Sequence, residues 1–322
     1  MKIFVSGHLP EEVLSVLKAE HEVETHEQGP PIKREDLLNS VEDKDGLLCM
    51  VTDRIDRELL DRAPGLKMIA NYGVGFNNID VGAVSERGIP VSNTPDVVTE
   101  ATADLTFALI LATARRVTEG DRRVKEGKFG YWVPFDFLGR EVSGKTLGIV
   151  GLGRIGRAVA RRARGFNMPV LYHKRRRLDP SLEKELGITH TDMDTLLPQV
   201  DFLTLHVPLT EETQHLLGPK EFEAMKTTAY LINTSRGPVV DEAALVEALR
   251  EGKIAGAGLD VYENEPALAT GLGDLKNAVL LPHVGSGTWE TRINIGLKAA
   301  KNLLAGLRGE RPQDCINWDS IS

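Results

Sequence analysis

The chain has 322 residues, about twice the length of a typical domain of ~150, so two domains are expected, each long enough for a sizeable core. Lys and Arg number 39 against 47 Asp and Glu, and the net charge of -8 gives no global reason to expect a nucleic-acid partner. Hydrophobic residues at 41% exclude a disordered chain, and aromatics at 5% disfavour a base-stacking surface.

The N-terminal apolar stretch is too short for a signal peptide, and no apolar run reaches the roughly 18 residues of a membrane span. Cys49 and Cys315 have no partner spacing, so neither a disulfide framework nor a metal site is expected. A cytoplasmic protein without membrane or nucleic-acid partners follows.

In chain order, Ile3 to Ser6, Gly46 to Met50, Lys67 to Ala70 and Ile89 to Ser92 read as strands, with helix-like apolar spacing between them. From Val98 to about Glu126 the spacing of Val98, Ala101, Leu105, Ala108, Leu109 and Ala112 predicts one long helix connecting two domains. The stretch Lys128 to Gly144, with Trp132, Phe135 and Phe137, is an apolar loop of the kind that makes subunit contacts or packing flaps. A second series of strands follows at Lys145 to Val150, Val170 to Tyr172, Phe202 to His206, Tyr230 to Asn233, Ala257 to Val261 and Val279 to Leu281. A helix from Trp289 to about Leu307 closes the chain. This alternation predicts an α/β protein of parallel sheets.

Gly151-Leu152-Gly153-Arg154-Ile155-Gly156 lies where a strand ends and a helix opens, the context that makes this spacing a dinucleotide fingerprint. The first glycine permits the tight turn, the second admits the pyrophosphate to the backbone, and the third lets helix and strand pack closely. About twenty residues on, where a carboxylate would accept from an NAD ribose, the chain reads Lys174-Arg175-Arg176-Arg177. Four cations there suit a 2'-phosphate, which points to NADPH in preference to NADH. The plainer alternative is a solvated basic turn.

Three later strand ends offer an Arg, a carboxylate and a His: Asn233-Thr234-Ser235-Arg236-Gly237-Pro238, Gly258-Leu259-Asp260-Val261-Tyr262-Glu263-Asn264-Glu265-Pro266 and Leu281-Pro282-His283-Val284-Gly285-Ser286. Such a set can bind an anion and move a proton. Taken singly, His283 reads as structural and Arg236 as a surface ion-pair partner, and spacing leaves Glu263 and Glu265 as equal candidates. The other seven histidines, His206 among them, read as structural.

With Asn71-Tyr72-Gly73-Val74-Gly75-Phe76-Asn77-Asn78-Ile79-Asp80, these motifs resemble the D-isomer-specific 2-hydroxyacid dehydrogenases over essentially the whole chain, most closely the glyoxylate and hydroxypyruvate reductase branch. The resemblance implies two doubly wound parallel-sheet domains, Rossmann-like or flavodoxin-like, one inserted in the other. Residues 98–288 would form the dinucleotide domain, and 1–97 with 289–322 the substrate domain. It implies reduction of a small 2-keto acid, with His283 as acid/base, Glu265 holding it in its protonated form and Arg236 on the substrate carboxylate.

Backbone N–H groups of Val74 and Gly75 would complete the carboxylate site. Leu152, Arg154 and Ile155 would lie around the pyrophosphate, Lys174, Arg175 and Arg176 at the adenosine ribose, and Thr234, Ser235, Arg236, Asp260, His283 and Gly285 near the nicotinamide. Asp260 also reads as a turn acceptor. A homodimer through the cofactor domain is implied. The alternatives are a D-lactate or D-3-phosphoglycerate dehydrogenase of the same family, or a dinucleotide-sensing corepressor. The last motif departs from its relatives at Gly287, where they often carry Ala.

Overall fold

The computed structural model describes residues 1–26, 29 and 31–321, and the chain divides into two compact units. One is built from both ends, Met1–Val98 and Ser286–Ser322; the other is Thr99–Gly285.

In the first unit, β1 (Lys2–Val5), β2 (Glu22–Thr25), β3 (Gly46–Met50), β4 (Met68–Tyr72) and β5 (Val91–Ser92) form an all-parallel sheet in the order β2-β1-β3-β4-β5. The central strands are short apolar runs because both faces are covered. One face packs on Leu37, Leu38, Leu59, Leu60 and Val84, while the helix Trp289–Leu307 lies against β3 and β4. Sequence periodicity finds that helix at its observed bounds. It misses β2, whose alternately exposed and half-buried residues on the sheet edge make no apolar run.

The second unit carries β6 (Leu147–Val150), β7 (Val170–His173), β8 (Ile188–His190), β9 (Phe202–Leu205), β10 (Tyr230–Asn233), β11 (Gly256–Leu259) and β12 (Ala278–Leu280). Their order is β12-β11-β10-β9-β6-β7-β8, all parallel. Winding reverses between β6 and β9, and a doubly wound sheet opens its ligand crevice outside the carboxyl ends of strands at such a point. One core layer gathers Leu196, Phe222, Leu245 and Leu249. The other gathers Phe107, Ile110, Val159 and Tyr172, with Phe107 stacked on Phe166.

The single long helix expected from Val98 to Glu126 is broken into Thr99–Ala114 and Val117–Lys125. Arg116 between them takes a left-handed φ of 54°, and the Ala114 carbonyl accepts from the Arg140 N–H at 2.7 Å. The loop returning past Gly139 thus caps the first helix from outside. The second piece buries none of its residues.

Candidate active site

Every candidate of the second unit follows the carboxyl end of a strand. Gly151 follows β6, Lys174 β7, Thr234 β10 and Asp260 β11, and His283 lies three residues beyond β12.

Gly151 has φ +92°, and a Cβ there would stand 2.6 Å from the backbone of His206, which follows β9. A Cβ on Gly156 would stand 2.4 Å from the Gly151 carbonyl oxygen. Gly153 has open space where a side chain would be. This is the cradle a pyrophosphate requires: a turn and a packing point closed to side chains, and a middle residue open to approach. The helix Arg154–Gly165 begins there without a side-chain cap, so its first N–H groups and dipole face outward. Leu152 is fully buried, and Ile155 is half-buried.

The four-cation cluster divides. Arg177 donates to both oxygens of Glu183, at 2.9 and 2.7 Å, and hydrogen bonds from Arg177 and Tyr172 hold the Glu183 carboxyl down at about 2. Arg177 is therefore engaged in the fold rather than aimed at a phosphate, a correction to the reading of four equivalent cations. Lys174, Arg175 and Arg176 make no ion pair among the described residues, and Arg175 and Arg176 are exposed.

His283 and Glu265 are brought together, Nδ1 to Oε2 at 2.8 Å, and the other Glu265 oxygen accepts from the Tyr262 N–H at 3.0 Å. Burial works against the Glu265 charge. The His283 hydrogen bond, the Tyr262 N–H and the charges of His283 and Arg236 outweigh it and hold the carboxyl below its usual range. Glu263 instead pairs with His215 at 2.6 Å and accepts from the Glu242 N–H, so geometry separates the two candidates that spacing left equal. Arg236 is half-buried, and desolvation lowers its pKa against the pull of Glu265. The next residue, Gly237, has no room for a Cβ, which would stand 1.8 Å from the Tyr262 carbonyl oxygen. Arg236 and Glu265 therefore ride on loops in direct backbone contact.

Asp260 is a clamp on the His283 loop: its oxygens accept from Val284 N–H at 2.7 Å and Gly285 N–H at 2.6 Å. That loop needs holding, since His283 itself sits at φ 54°. Thr234 shares a hydrogen bond with Thr106 at 3.0 Å, and Ser235 bonds Asn233, so both hydroxyls face inward. His206, set aside in the sequence, has both ring nitrogens buried without hydrogen-bond partners among the described residues, beside the Gly151 turn. Desolvation pushes its pKa down to about 3. Its place after a strand next to the winding reversal was the signal available. In the first unit, Val74 and Gly75 lie half-buried in the turn after β4.

Residues 107–285 match the family model of the D-isomer specific 2-hydroxyacid dehydrogenase, NAD binding domain. A glyoxylate reductase of Thermococcus litoralis is 49% identical over 325 aligned residues, covering 100% of this chain and 98% of its own. Among solved structures, a Thermus thermophilus protein superposes with TM-score 0.93 at 46% identity, covering 98% of this chain and 100% of that one. An NADPH-dependent glyoxylate/hydroxypyruvate reductase of Sinorhizobium meliloti, solved with NADP and malonate, gives 0.86 at 34%, covering 98% and 96%. The chain belongs to the D-isomer-specific 2-hydroxyacid dehydrogenase family. Within that family it is similar to glyoxylate reductases along its whole length.

Proposed function

We propose that the protein is an NADPH-preferring glyoxylate/hydroxypyruvate reductase, working in the cytoplasm on small 2-keto acids. The observation that carries the proposal is the Glu265–His283 pair at 2.8 Å, beside an Arg236 whose charge reaches Glu265.

The nicotinamide dinucleotide, when bound, supplies hydride to the keto carbon. With Nδ1 turned to Glu265, His283 has Nε2 left to deliver a proton to the keto oxygen, which becomes the hydroxyl of the D-2-hydroxy acid. The charged Glu265, anchored by the Tyr262 N–H, compensates the imidazolium and fixes its orientation. Arg236, in the backbone-locked loop, binds the substrate carboxylate through a planar fork that Lys lacks, and the N–H groups of Val74 and Gly75 complete its binding. Asp260 keeps the His283 loop in register. Lys174, Arg175 and Arg176, which make no ion pair among the described residues, receive the 2'-phosphate.

A second copy covers the exposed apolar loop, where Tyr131, Trp132 and Phe135 are each at least 81% exposed, next to a helix that buries nothing in its own unit. Replacing Trp132 and Phe135 with Ser should shift a homodimer to monomer in light scattering.

Initial rates with NADH and NADPH across glyoxylate, hydroxypyruvate, pyruvate and phenylpyruvate test the assignment. The expected result is the highest kcat/KM on the two small acids with NADPH. A preference for the aromatic acid overturns it, and no oxidation of either cofactor favours a sensing role instead.

A further inference from the structure

Strand β4 runs into Gly73-Val74-Gly75-Phe76, a turn gripped by asparagine amides. Fully buried Asn71 donates from Nδ2 to the Gly75 carbonyl at 2.8 Å and the Gly73 carbonyl at 3.3 Å. The Thr94 N–H reaches the Gly73 carbonyl at 3.0 Å. Asn93 donates from Nδ2 to the Val74 carbonyl at 2.7 Å. The Asn71 amide is itself fixed at its oxygen, and Asn93 is tied through its backbone. Asn71 Oδ1 accepts from Asn78, whose amide also bonds the carbonyls of Met50 and Asp53, and the Asn93 carbonyl accepts from Asn302.

In a trans peptide the carbonyl and the following N–H point opposite ways. Three carbonyls drawn toward Asn71 and Asn93 therefore turn the N–H groups of Val74, Gly75 and Phe76 away from them. None of these three donates a hydrogen bond among the described residues. Successive N–H groups presented together make an anion-binding concavity.

We infer that Asn71 and Asn93 are positioning residues for the substrate carboxylate, and that the Phe76 N–H is a third donor beside those of Val74 and Gly75. The inference rests on the reading of the protein as a 2-keto acid reductase, since it requires a carboxylate ligand. Neither asparagine touches substrate; each acts by aiming the backbone.

Asn71→Asp keeps the side chain's shape but sets an acceptor against two carbonyls. The KM for glyoxylate should rise ~10-fold or more, the kcat should change less, and the KM for NADPH should stay put. Oxamate titrated into the enzyme–NADPH complex reads the same loss of affinity without turnover. Asn93→Ala removes the side-chain donor on the Val74 carbonyl and should give a smaller loss of the same kind; it carries the test if Asn71→Asp does not fold. Folded variants with wild-type glyoxylate KM and oxamate affinity, or with kcat reduced at unchanged KM, overturn the inference and leave the functional reading standing. A wild-type enzyme that neither binds oxamate nor reduces glyoxylate removes both.

Discussion

Two glycine-rich turns each follow a parallel strand and each present backbone N–H groups, yet they are built differently. At Gly151–Gly156 the donors come from the start of the helix Arg154–Gly165, and glycine is required at Gly151 and Gly156 because side chains there would strike backbone. At Gly73–Phe76 there is no helix to aim the donors: the next one, Val81–Glu86, starts only after Asp80. Buried asparagine amides aim them instead. A helix dipole suits a dianionic pyrophosphate on a fixed cofactor, whereas neutral amides shaping a short turn suit one small carboxylate that must also leave.

The largest effect should separate chemistry from both turns. His283→Ala should lower kcat by about 10²- to 10⁴-fold, the usual worth of a positioned acid, while binding of NADPH measured by fluorescence stays near wild type. Full activity in that variant would remove His283 from the proton transfer.

The next test concerns what surrounds the helix turn. Lys174→Asp with Arg175→Ala should raise the KM for NADPH by roughly 100-fold relative to that for NADH, because two charge-assisted contacts are lost only where a 2'-phosphate is present. Equal changes for the two cofactors would make the cluster a solvated basic turn. Gly151→Ala then probes the turn itself: a Cβ at φ +92° and 2.6 Å from the His206 backbone should raise the KM for either cofactor about 10-fold, leaving oxamate binding to the other turn to be judged in cofactor-saturated enzyme.

The sequence made the two turns unequally legible. The helix turn announces itself, because Gly151 and Gly156 answer local steric demands and the strand and helix beside it have clear apolar periods. The other shows only as Gly73-Val74-Gly75, since what aims it is Asn93, from the next strand's end, and Asn71, which reads as an ordinary polar residue closing a strand. The same distinction runs through the rest of the molecule. The helix Trp289–Leu307 is written in its own spacing, but the break at Arg116 depends on the Arg140 N–H, and the engagement of Arg177 depends on Glu183 in the following helix. The Glu265 choice likewise required knowing that His215 takes Glu263.

The smallest predicted effect distinguishes how the turns respond to acid. Asparagine amides do not titrate, whereas the helix turn backs onto His206, held neutral by desolvation down to about 3. In the unfolded chain the same imidazole takes a proton near pH 6.5, so below that value the unfolded state binds more protons and folding stability falls with pH. Between pH 7 and 5.5 this should remove about 1 kcal/mol, with the loss continuing until the folded-state value is passed. Urea unfolding of wild type and His206→Asn at both pH values checks it: the variant should lose less stability than wild type by about that amount. Equal losses would mean that His206 is protonated in the folded protein as easily as in the unfolded chain, and that acid does not discriminate between the two turns.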